Sequence, residues 1–342
     1  MNLAQNISLK NYNSFGIEVY ANYFSGFSTV LQLQEALDYY VNFKAGNASS
    51  ILILGGGSNI LFTKNYEGLV LKNELEGIEV VQEDDNFIYV KAGAGVGWHQ
   101  FVLYCIQNNF AGVENLSLIP GKVGASPMQN IGAYGVEIKD VFYTLEAYHL
   151  QEKNIVQFTC EDCNFGYRES VFKNKYKGQF AILSVTYRLN KTAVFNTSYG
   201  AITQELDKMN IGTLSIKGIS QAVINIRSSK LPDPAVIGNA GSFFKNPEVD
   251  ANLFSLLQKE FKNIVGYPLP SGSVKLAAGW LIEQCGWKGY RKADAGCFDK
   301  QALVLVNYGK ATGKEIYELS EAIIASVKNK FNVLLQREVN IF

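Results

Sequence analysis

The sequence does not have the features typical of nucleic-acid-binding proteins, of secreted proteins held by disulfides or of membrane proteins. Lys and Arg together number 31, and Asp and Glu also number 31, so the formal net charge is zero. A balanced charge provides no basic field for nucleic acid or for an anionic membrane. The chain has 5 cysteines, an odd set that does not suit a secreted disulfide framework. No apolar run approaches the ~18–20 residues of a membrane span, so we do not expect a membrane protein.

Two further scarcities narrow the possible chemistry. The chain has 2 histidines, His99 and His149, and neither lies in a serine-hydrolase context. Cys160-Glu-Asp-Cys163 is a lone C-x-x-C without a second pair or a nearby histidine. Two reduced thiols near a strand end are therefore a better interpretation than zinc or redox chemistry, and we expect no metal. The first ten residues do not resemble a signal peptide, so we expect a cytoplasmic protein.

What the chain does contain is enough apolar material for a large core. Hydrophobic residues make up 47% of the 342 residues and charged residues 18%, as in ordinary globular proteins of two or three domains. Residue spacing predicts helices at 28–40, 98–108, 216–227 and 273–285, the last closed by Gly286. A further helix is predicted from the capping box Thr312-Gly-Lys-Glu315 through Lys330. The predicted strands are 51–54, 78–81, 87–92, 141–150, 155–159, 181–189, 302–306 and 331–342.

The stretch from Ile119 to Gly135 is the most informative segment. It contains four glycines, two prolines, Ser126, Gln129 and Asn130, and no carboxylate. Glycine permits positive φ and close backbone approach, so such a loop can direct several N–H groups at one anionic or polar ligand. A plain connector is the alternative, but long loops without secondary structure are usually functional.

A second glycine loop, Gly55-Gly-Gly-Ser-Asn59, follows the predicted strand 51–54. A pyrophosphate could rest on its backbone amides, although a tight strand-to-loop turn would have the same sequence. The loop contains neither the G-K-[ST] of a Walker loop nor the G-x-G-x-x-G of a Rossmann fold.

Three more segments contain residue types suited to catalysis. Asn164-Phe-Gly-Tyr-Arg-Glu-Ser170 includes Arg168, whose planar cation suits a carboxylate or an enolate. An ordinary surface arginine paired with an acid is the alternative. Gly238-Asn-Ala-Gly-Ser-Phe-Phe-Lys-Asn-Pro247 places two small residues before Ser242, and the tail from Leu334 to Phe342 contains Glu338.

These segments, in this order, resemble the UDP-N-acetylenolpyruvoylglucosamine reductases, also called UDP-N-acetylmuramate dehydrogenases. The resemblance spans nearly the whole chain. It implies an α+β protein, with a two-part FAD-binding module of the vanillyl-alcohol-oxidase type and a C-terminal α/β substrate-binding domain. The implied domains are residues 1–71, to which 331–342 return, then residues 72–228, and then residues 229–330.

The resemblance also implies roles for individual residues. Arg168, Ser242 and Glu338 are implied to be catalytic. The residues implied to bind FAD non-covalently are Gly55, Gly56, Gly57, Ser58, Asn59, Pro120, Gly121, Gly124, Ala125, Ser126, Asn130, Ile131, Gly132 and Arg227. Tyr199, Lys230 and Asn246 are implied to bind substrate, with Tyr199 on a mobile segment that closes over the UDP part. The family commonly has Pro-Glu-Val-Arg around the glutamate, whereas this chain has Arg337-Glu-Val-Asn340.

The implied reaction reduces the enolpyruvyl ether of UDP-N-acetylglucosamine to UDP-N-acetylmuramate for peptidoglycan. NADPH would reduce FAD and leave, and flavin N5 would then deliver hydride to C3 of the nucleotide sugar. Ser242 would give a proton to C2, while Arg168 and Glu338 stabilise the intervening anion. Glu338 can donate a hydrogen bond only when it is protonated, so a pKa raised by burial is implied. We expect a monomer whose partners are the UDP-sugar and NADPH.

Two other functions remain open from the sequence. An oxidase of the same flavin fold would act on alcohols or sugars with oxygen, but such enzymes often tether FAD through a histidine. No histidine lies in the first 98 residues or in either glycine loop. A non-catalytic nucleotide-binding module would keep the glycine loops but need not keep Arg168, Ser242 and Glu338 together.

Overall fold

Short helices and strands alternate along the chain. The computed structural model describes residues 3–43 and 50–342. Within these ranges the strands are β1 (Ala4–Ser8), β2 (Tyr20–Phe27), β3 (Ile51–Leu54), β4 (Ile60–Leu61), β5 (Tyr66–Asn73), β6 (Ile78–Glu83), β7 (Phe87–Gly93), β8 (Gly132–Ala133), β9 (Val136–Glu137), β10 (Phe142–His149), β11 (Ile155–Thr159), β12 (Phe180–Asn190), β13 (Gly238–Ser242), β14 (Glu248–Val249), β15 (Gly266–Pro268), β16 (Val274–Leu276), β17 (Arg291–Lys292), β18 (Ala295–Cys297), β19 (Val304–Asn307) and β20 (Asn340–Ile341). The helices are α1 (Val30–Phe43), α2 (Trp98–Gln107), α3 (Cys160–Cys163), α4 (Gly200–Lys208), α5 (Ile216–Lys230), α6 (Ala251–Glu260), α7 (Ala278–Gln284) and α8 (Gly313–Phe331).

The chain divides into two units, each built from separate stretches of sequence. Unit 1 comprises residues 1–7, 21–56 and 66–229, and unit 2 comprises residues 8–20, 57–65 and 230–342. The predicted division into three domains is a finer partition, and it stays a prediction.

Unit 1 contains a four-stranded sheet in the order β1-β2-β5-β3, in which β2 and β3 each run parallel to β5. Helix α1 packs on this sheet. Its residues Leu33, Ala36, Leu37 and Tyr40 follow the i, i+3, i+4, i+7 spacing of one helical face, and all four are buried. The predicted helix at 28–40 and the predicted strand at 51–54 are therefore confirmed.

A second sheet of unit 1 is antiparallel and follows the order β11-β10-β12-β7-β6. Helix α2 buries Trp98, Phe101, Val102 and Cys105, again one helical face, in the same core as the middle strands of this sheet. The indole N–H of Trp98 donates to the carbonyl of Leu116 at 2.9 Å. This bond fixes the start of α2 close to the beginning of the long glycine loop.

Helices α4 and α5 form a smaller apolar cluster in unit 1. Ile202 and Leu206 of α4 are buried with Ile219, Val223 and Ile226 of α5. The predicted helix at 216–227 is confirmed, and it continues to Lys230.

Unit 2 contains the sheet β13-β19-β18-β17, the smaller sheet β14-β16-β15 and the parallel pair of β20 with β4. Helix α8 opens with the predicted capping box. The hydroxyl of Thr312 accepts from the amide of Glu315, and the Glu315 carboxylate accepts from the amide of Thr312 at 2.7 Å. The buried face of α8 carries Ile316, Ile323 and Val327.

Two sequence predictions in unit 2 are wrong in part. The predicted helix at 273–285 begins only at Ala278, because Val274 and Leu276 are buried on either side of Lys275 in strand β16. Its predicted closure at Gly286 is confirmed, since Gly286 has a φ of +79°. The predicted terminal strand at 331–342 is a strand only at Asn340–Ile341. Phe331 is the last residue of helix α8, and among the described residues the backbone between them forms only one isolated bridge, from Arg337 to Phe244.

Three further features of the described residues concern membrane-spanning helices, metal sites and disulfide bonds. No helix in the described ranges is both long and apolar enough to cross a bilayer. Across the same residues, no group of His, Cys, Asp and Glu side chains is placed to hold a metal ion. All five cysteines are free thiols, and helix α3 begins at the exposed Cys160 and ends at the buried Cys163.

Candidate active site

Gly55 and Gly56 of the first glycine loop contact the long glycine loop within unit 1. A Cβ placed on Gly56 would lie 3.1 Å from the Cα of Gly121, and one on Gly55 would lie 3.5 Å from the Cβ of Lys122. Gly121 also has a φ of +116°, which favours glycine. Gly56 is exposed, so a ligand can approach the backbone of both loops here, beside the side chain of Lys122.

The long loop is fixed to the residues that follow β7. The amide of Val123 donates to the carbonyl of Val96 at 2.9 Å, and the amide of Gly124 donates to the carbonyl of Ala94 at 3.0 Å. A Cβ on Gly124 would lie 2.6 Å from the Cβ of Ala94, closer than real Cβ contacts. Gly124 is therefore required by packing, whether or not it also contacts a ligand. Pro120 and Ala125 are exposed beside it.

Ser126 is buried and has a partner within the protein. Its Oγ lies 2.7 Å from the hydroxyl of Tyr187, which is also buried. Burial raises the pKa of Tyr187 well above its usual value, so this hydroxyl stays protonated. The serine that resembles a FAD contact thus also satisfies a buried tyrosine.

We expect Ser126→Ala to destabilise the protein by about 1–3 kcal/mol, because the Tyr187 hydroxyl loses its buried partner. The double variant Ser126→Ala/Tyr187→Phe should be less destabilised than the sum of the single variants, because both polar groups are then removed together. Thermal unfolding of the FAD-free protein measures both effects. A Ser126→Ala protein of unchanged stability but weakened FAD affinity would instead assign the hydroxyl to the ligand.

Asn130 joins the end of the long loop to the segment that contains Arg168. Its side-chain NH₂ donates to the Glu137 carboxylate and to the carbonyl of Gly166, both at 3.0 Å, and its Oδ1 accepts from the amide of Lys139. Asn130 is buried and has a φ of +46°, a conformation that asparagine tolerates well. Ser170 adds a second link, since its hydroxyl donates to the carbonyl of Met128 at 2.7 Å.

Arg168 stands at the tip of a tight turn. Gly166 and Glu169 pair across this turn, and Arg168 between them has a φ of +55°. Its guanidinium donates to the carbonyl of Asn130 at 3.3 Å and to the carbonyl of Gly132. The half-buried cation is therefore held against Asn130 and Gly132, two of the residues implied to bind FAD. Ile131 lies between them in sequence, and its amide donates to the carbonyl of Ser126 at 3.1 Å.

Arg227, Tyr134 and Tyr199 form a chain of contacts in unit 1. The Nε of Arg227 donates to the carbonyl of Leu118 at 3.2 Å, and burial lowers the pKa of Arg227 while Tyr134 opposes that shift. The ring of Tyr134 meets the ring of Tyr199 edge to face, with centroids 5.2 Å apart. Tyr134 thus connects Arg227, which is implied to contact the flavin, with Tyr199, which is implied to contact the substrate.

Tyr134 is a site residue that the sequence predictions missed. Its position between Gly132 and Gly135 is the only signal for it in the sequence, and the structure gives it a φ of +50°. Its carbonyl accepts from the side chain of Asn115, which also donates to the carbonyl of Asn196, each at 2.9 Å. These bonds hold the start of the Tyr199 segment against the long loop.

Ser242 lies at the end of a bulged strand in unit 2. The pairing of β13 with β19 shifts register between Asn239 and Ser242, and Gly241 has a φ of +68°. The Oδ1 of Asn239 accepts from the amide of Gly241 at 2.9 Å and stabilises the bulge. A bulge changes the direction of the side chain that follows it, so this one orients the half-buried Ser242.

Glu338 lies on the segment that runs beside Ser242. The amide of Glu338 donates to the carbonyl of Phe243 at 2.8 Å, and the amide of Lys245 donates to the carbonyl of Gln336 at 2.9 Å. Unit 2 therefore brings the serine segment and the glutamate segment together. Arg168 belongs to unit 1, so its convergence with these two residues stays a prediction.

The remaining predicted site residues lie at defined positions in their units. The Oδ1 of Asn246 accepts from the amide of Ala278 at 3.0 Å, which orients the asparagine at the start of α7. Lys230 is exposed at the end of α5. Gly57 has a φ of +62°, and a Cβ there would lie 2.0 Å from the carbonyl oxygen of Tyr12. Ser58 and Asn59 are half-buried beyond it.

Comparison with known proteins identifies similar chains over the full length. A family model described as the C-terminal domain of UDP-N-acetylenolpyruvoylglucosamine reductase matches residues 233–342, and an FAD-binding-domain model matches residues 28–150. The UDP-N-acetylenolpyruvoylglucosamine reductase of Amoebophilus asiaticus is 52% identical over 341 residues, covering 100% of this chain and 99% of the relative. That of Flavobacterium johnsoniae is 49% identical and covers 100% of both chains.

A solved structure is similar in fold. The crystal structure of UDP-N-acetylenolpyruvylglucosamine reductase from Thermus caldophilus matches with a TM-score of 0.69 at 20% identity, covering 100% of this chain and 99% of that one. Together with the FAD-binding-domain match, this likeness confirms the predicted fold class of an FAD-binding module followed by a further α/β domain.

Proposed function

The chain belongs to the family of UDP-N-acetylenolpyruvoylglucosamine reductases, and on that premise we propose that it reduces UDP-N-acetyl-3-O-(1-carboxyvinyl)-glucosamine to UDP-N-acetylmuramate with electrons from NADPH. The chain is an oxidoreductase with an FAD-binding domain. NADPH as the reductant follows the family resemblance. The product is a peptidoglycan precursor, so the proposed role is in cell-wall synthesis, and through it in cell shape and division.

The residues of unit 1 fit FAD. The meeting of Gly56 with Gly121 presents exposed backbone, and the side chain of Lys122 begins beside Gly55. A pyrophosphate is favoured where backbone amides and a cation lie together without obstructing side chains. When bound, FAD supplies the redox chemistry, accepting hydride from the nicotinamide and passing hydride to C3 of the enolpyruvyl group.

Ser242 and Glu338 are proposed to serve the second half of the reaction. A serine hydroxyl is a poor acid in water, and it becomes a useful proton donor only toward a strongly basic carbon such as C2. Glu338, when protonated, would donate a hydrogen bond to the anion that forms beside that carbon. The single observation that carries this proposal is the 2.8 Å bond from the Glu338 amide to the carbonyl of Phe243, which follows Ser242 directly.

Arg168 is proposed to stabilise the same anion by charge. Its guanidinium is a planar cation, so it can pair with the substrate carboxylate in two hydrogen bonds. Its bonds to the carbonyls of Asn130 and Gly132 fix the plane of the cation before substrate arrives. Such preorganisation stabilises charge at little further cost.

The assay that tests this function follows NADPH oxidation by the FAD-loaded protein with and without the enolpyruvyl nucleotide. We expect NADPH to be consumed in equal amount to the UDP-N-acetylmuramate formed. UDP-N-acetylglucosamine, which lacks the enolpyruvyl group, is the matched control and should give no such turnover. Equal NADPH consumption without the nucleotide would mean that oxygen, and not the enolpyruvyl group, takes the electrons, which would contradict the proposed function. Acid treatment should release the flavin, because we expect it to be bound non-covalently.

We further propose that the protein acts in the cytoplasm and as a monomer, with the UDP-sugar and NADPH as its partners. A balanced net charge of zero supports small-molecule partners rather than nucleic acid.

A further inference from the structure

Asn59 and Asn340 are bonded to each other in unit 2. The carbonyl of Asn59 accepts from the backbone amide of Asn340 and from its side-chain NH₂, both at 3.1 Å. The side-chain NH₂ of Asn59 in turn donates to the carbonyl of Glu338 at 3.3 Å. We call these three bonds the Asn59–Asn340 brace.

The brace acts on one side of Glu338, and the Ser242 segment acts on the other. The Glu338 amide donates to the carbonyl of Phe243, while the Glu338 carbonyl accepts from Asn59. Both polar backbone groups of Glu338 are therefore bonded, to two different segments of unit 2. Since Cα lies between these two groups, the bonds set the direction from which the carboxyl side chain projects.

We propose that Asn340 is a positioning residue for Glu338, acting through Asn59. The proposal rests on the proposed function, in which Glu338 donates a hydrogen bond to the reacting anion. The side-chain NH₂ of Asn340 holds the carbonyl of Asn59, and Asn59 then presents its own NH₂ to the backbone of Glu338.

The end of the chain is anchored independently of the Asn340 side chain. The carbonyl of Phe342 accepts from the amide of Thr63 at 2.7 Å and from its hydroxyl at 2.8 Å, and the amide of Phe342 donates to the carbonyl of Leu61 at 2.9 Å. The rings of Phe62 and Phe342 are 5.8 Å apart, and Val339 is buried. Removing the side-chain carboxamide of Asn340 should therefore loosen the Asn59–Asn340 brace without releasing the strand pair β4–β20.

The test compares Asn340→Leu, which keeps the shape but loses the donor, with Asn340→Gln, which keeps an NH₂ group. Gln336→Met is the matched control, because it also removes a carboxamide from this segment at an exposed position. Two half-reactions are measured in the FAD-loaded enzyme by stopped flow: reduction by NADPH, and reoxidation by the enolpyruvyl nucleotide. Hydrogen exchange of residues 337–342 in the FAD-free protein reports on the brace without any activity.

We expect Asn340→Leu to slow reoxidation by on the order of 10-fold, less than the ~10²-fold that a misplacement of about 1 Å can cause, because the backbone bond from Asn340 to Asn59 remains. Reduction by NADPH and FAD content should stay near wild type, exchange at 337–342 should accelerate, and Asn340→Gln should recover part of the rate. Unchanged reoxidation, an equal loss in Gln336→Met, or loss of FAD would overturn the positioning role. A wild-type enzyme that the enolpyruvyl nucleotide does not reoxidise would instead overturn the proposed function, and the positioning role with it.

Discussion

The Ser242→Ala enzyme is expected to be reduced by NADPH at the wild-type rate and to turn over the enolpyruvyl nucleotide on the order of 10²–10³-fold more slowly. The two half-reactions separate because hydride transfer from NADPH needs no proton from the protein at C2, whereas completion of the product does. The bulge at Gly241 orients the serine, and alanine at position 242 keeps that backbone. The loss should therefore appear in kcat and not in flavin binding.

Ser255→Ala is the matched control for this variant. Ser255 is an exposed serine of α6 in the same unit, and its hydroxyl donates to the carbonyl of Ala251 at 2.8 Å. Its substitution removes the same oxygen without approaching the Glu338 segment, so both half-reactions should keep their wild-type rates. If Ser242→Ala converted the enolpyruvyl nucleotide at the wild-type rate, another group or water would have to protonate C2.

Sequence spacing predicted best the elements with one buried helical face. In α2, Trp98, Phe101 and Cys105 lie one turn apart, and the predicted helix differs from the observed one only by its last residue. Strand β16 shows the opposite case. Lys275 lies between buried Val274 and Leu276, which is the buried–exposed alternation of a strand. With only three residues, this alternation is too short to be distinguished from the apolar spacing of the helix that follows.

In the candidate active site too, the sequence predicts local features better than long-range contacts. The glycine content of both loops was visible in the sequence, because positive φ and close approach require that residue. Asn130, Tyr134 and Asn340 each form a hydrogen bond to a distant segment, over 36, 19 and 281 positions, and no local pattern encodes those partners. The pairing of the Ser242 segment with the Glu338 segment spans almost a hundred residues, and only the family resemblance suggested it.

Arg168→Lys is expected to lower kcat for the enolpyruvyl nucleotide by on the order of 10²-fold, although the charge is kept. A lysine ammonium is a single point of charge and cannot bond the carbonyls of Asn130 and Gly132 while also presenting two parallel donors to a carboxylate. The backbone conformation of Arg168 also indicates that its side chain has a specific role. Arg168 occupies a turn position with a φ of +55°, where glycine or asparagine is usual, at a cost of roughly 1–2 kcal/mol.

A strained backbone conformation of this kind persists at a residue with a large side chain when that side chain has a function that glycine could not provide. Arg188→Lys is the control, because Arg188 is an exposed arginine of the same unit, stacked over Phe87 at 4.7 Å, and its substitution should leave kcat unchanged. FAD content must be measured in both variants, since Arg168 also bonds the end of the long loop. A fall in kcat at full FAD occupancy assigns the guanidinium to the reacting anion, whereas a loss of FAD at unchanged kcat per bound flavin limits Arg168 to holding the loop.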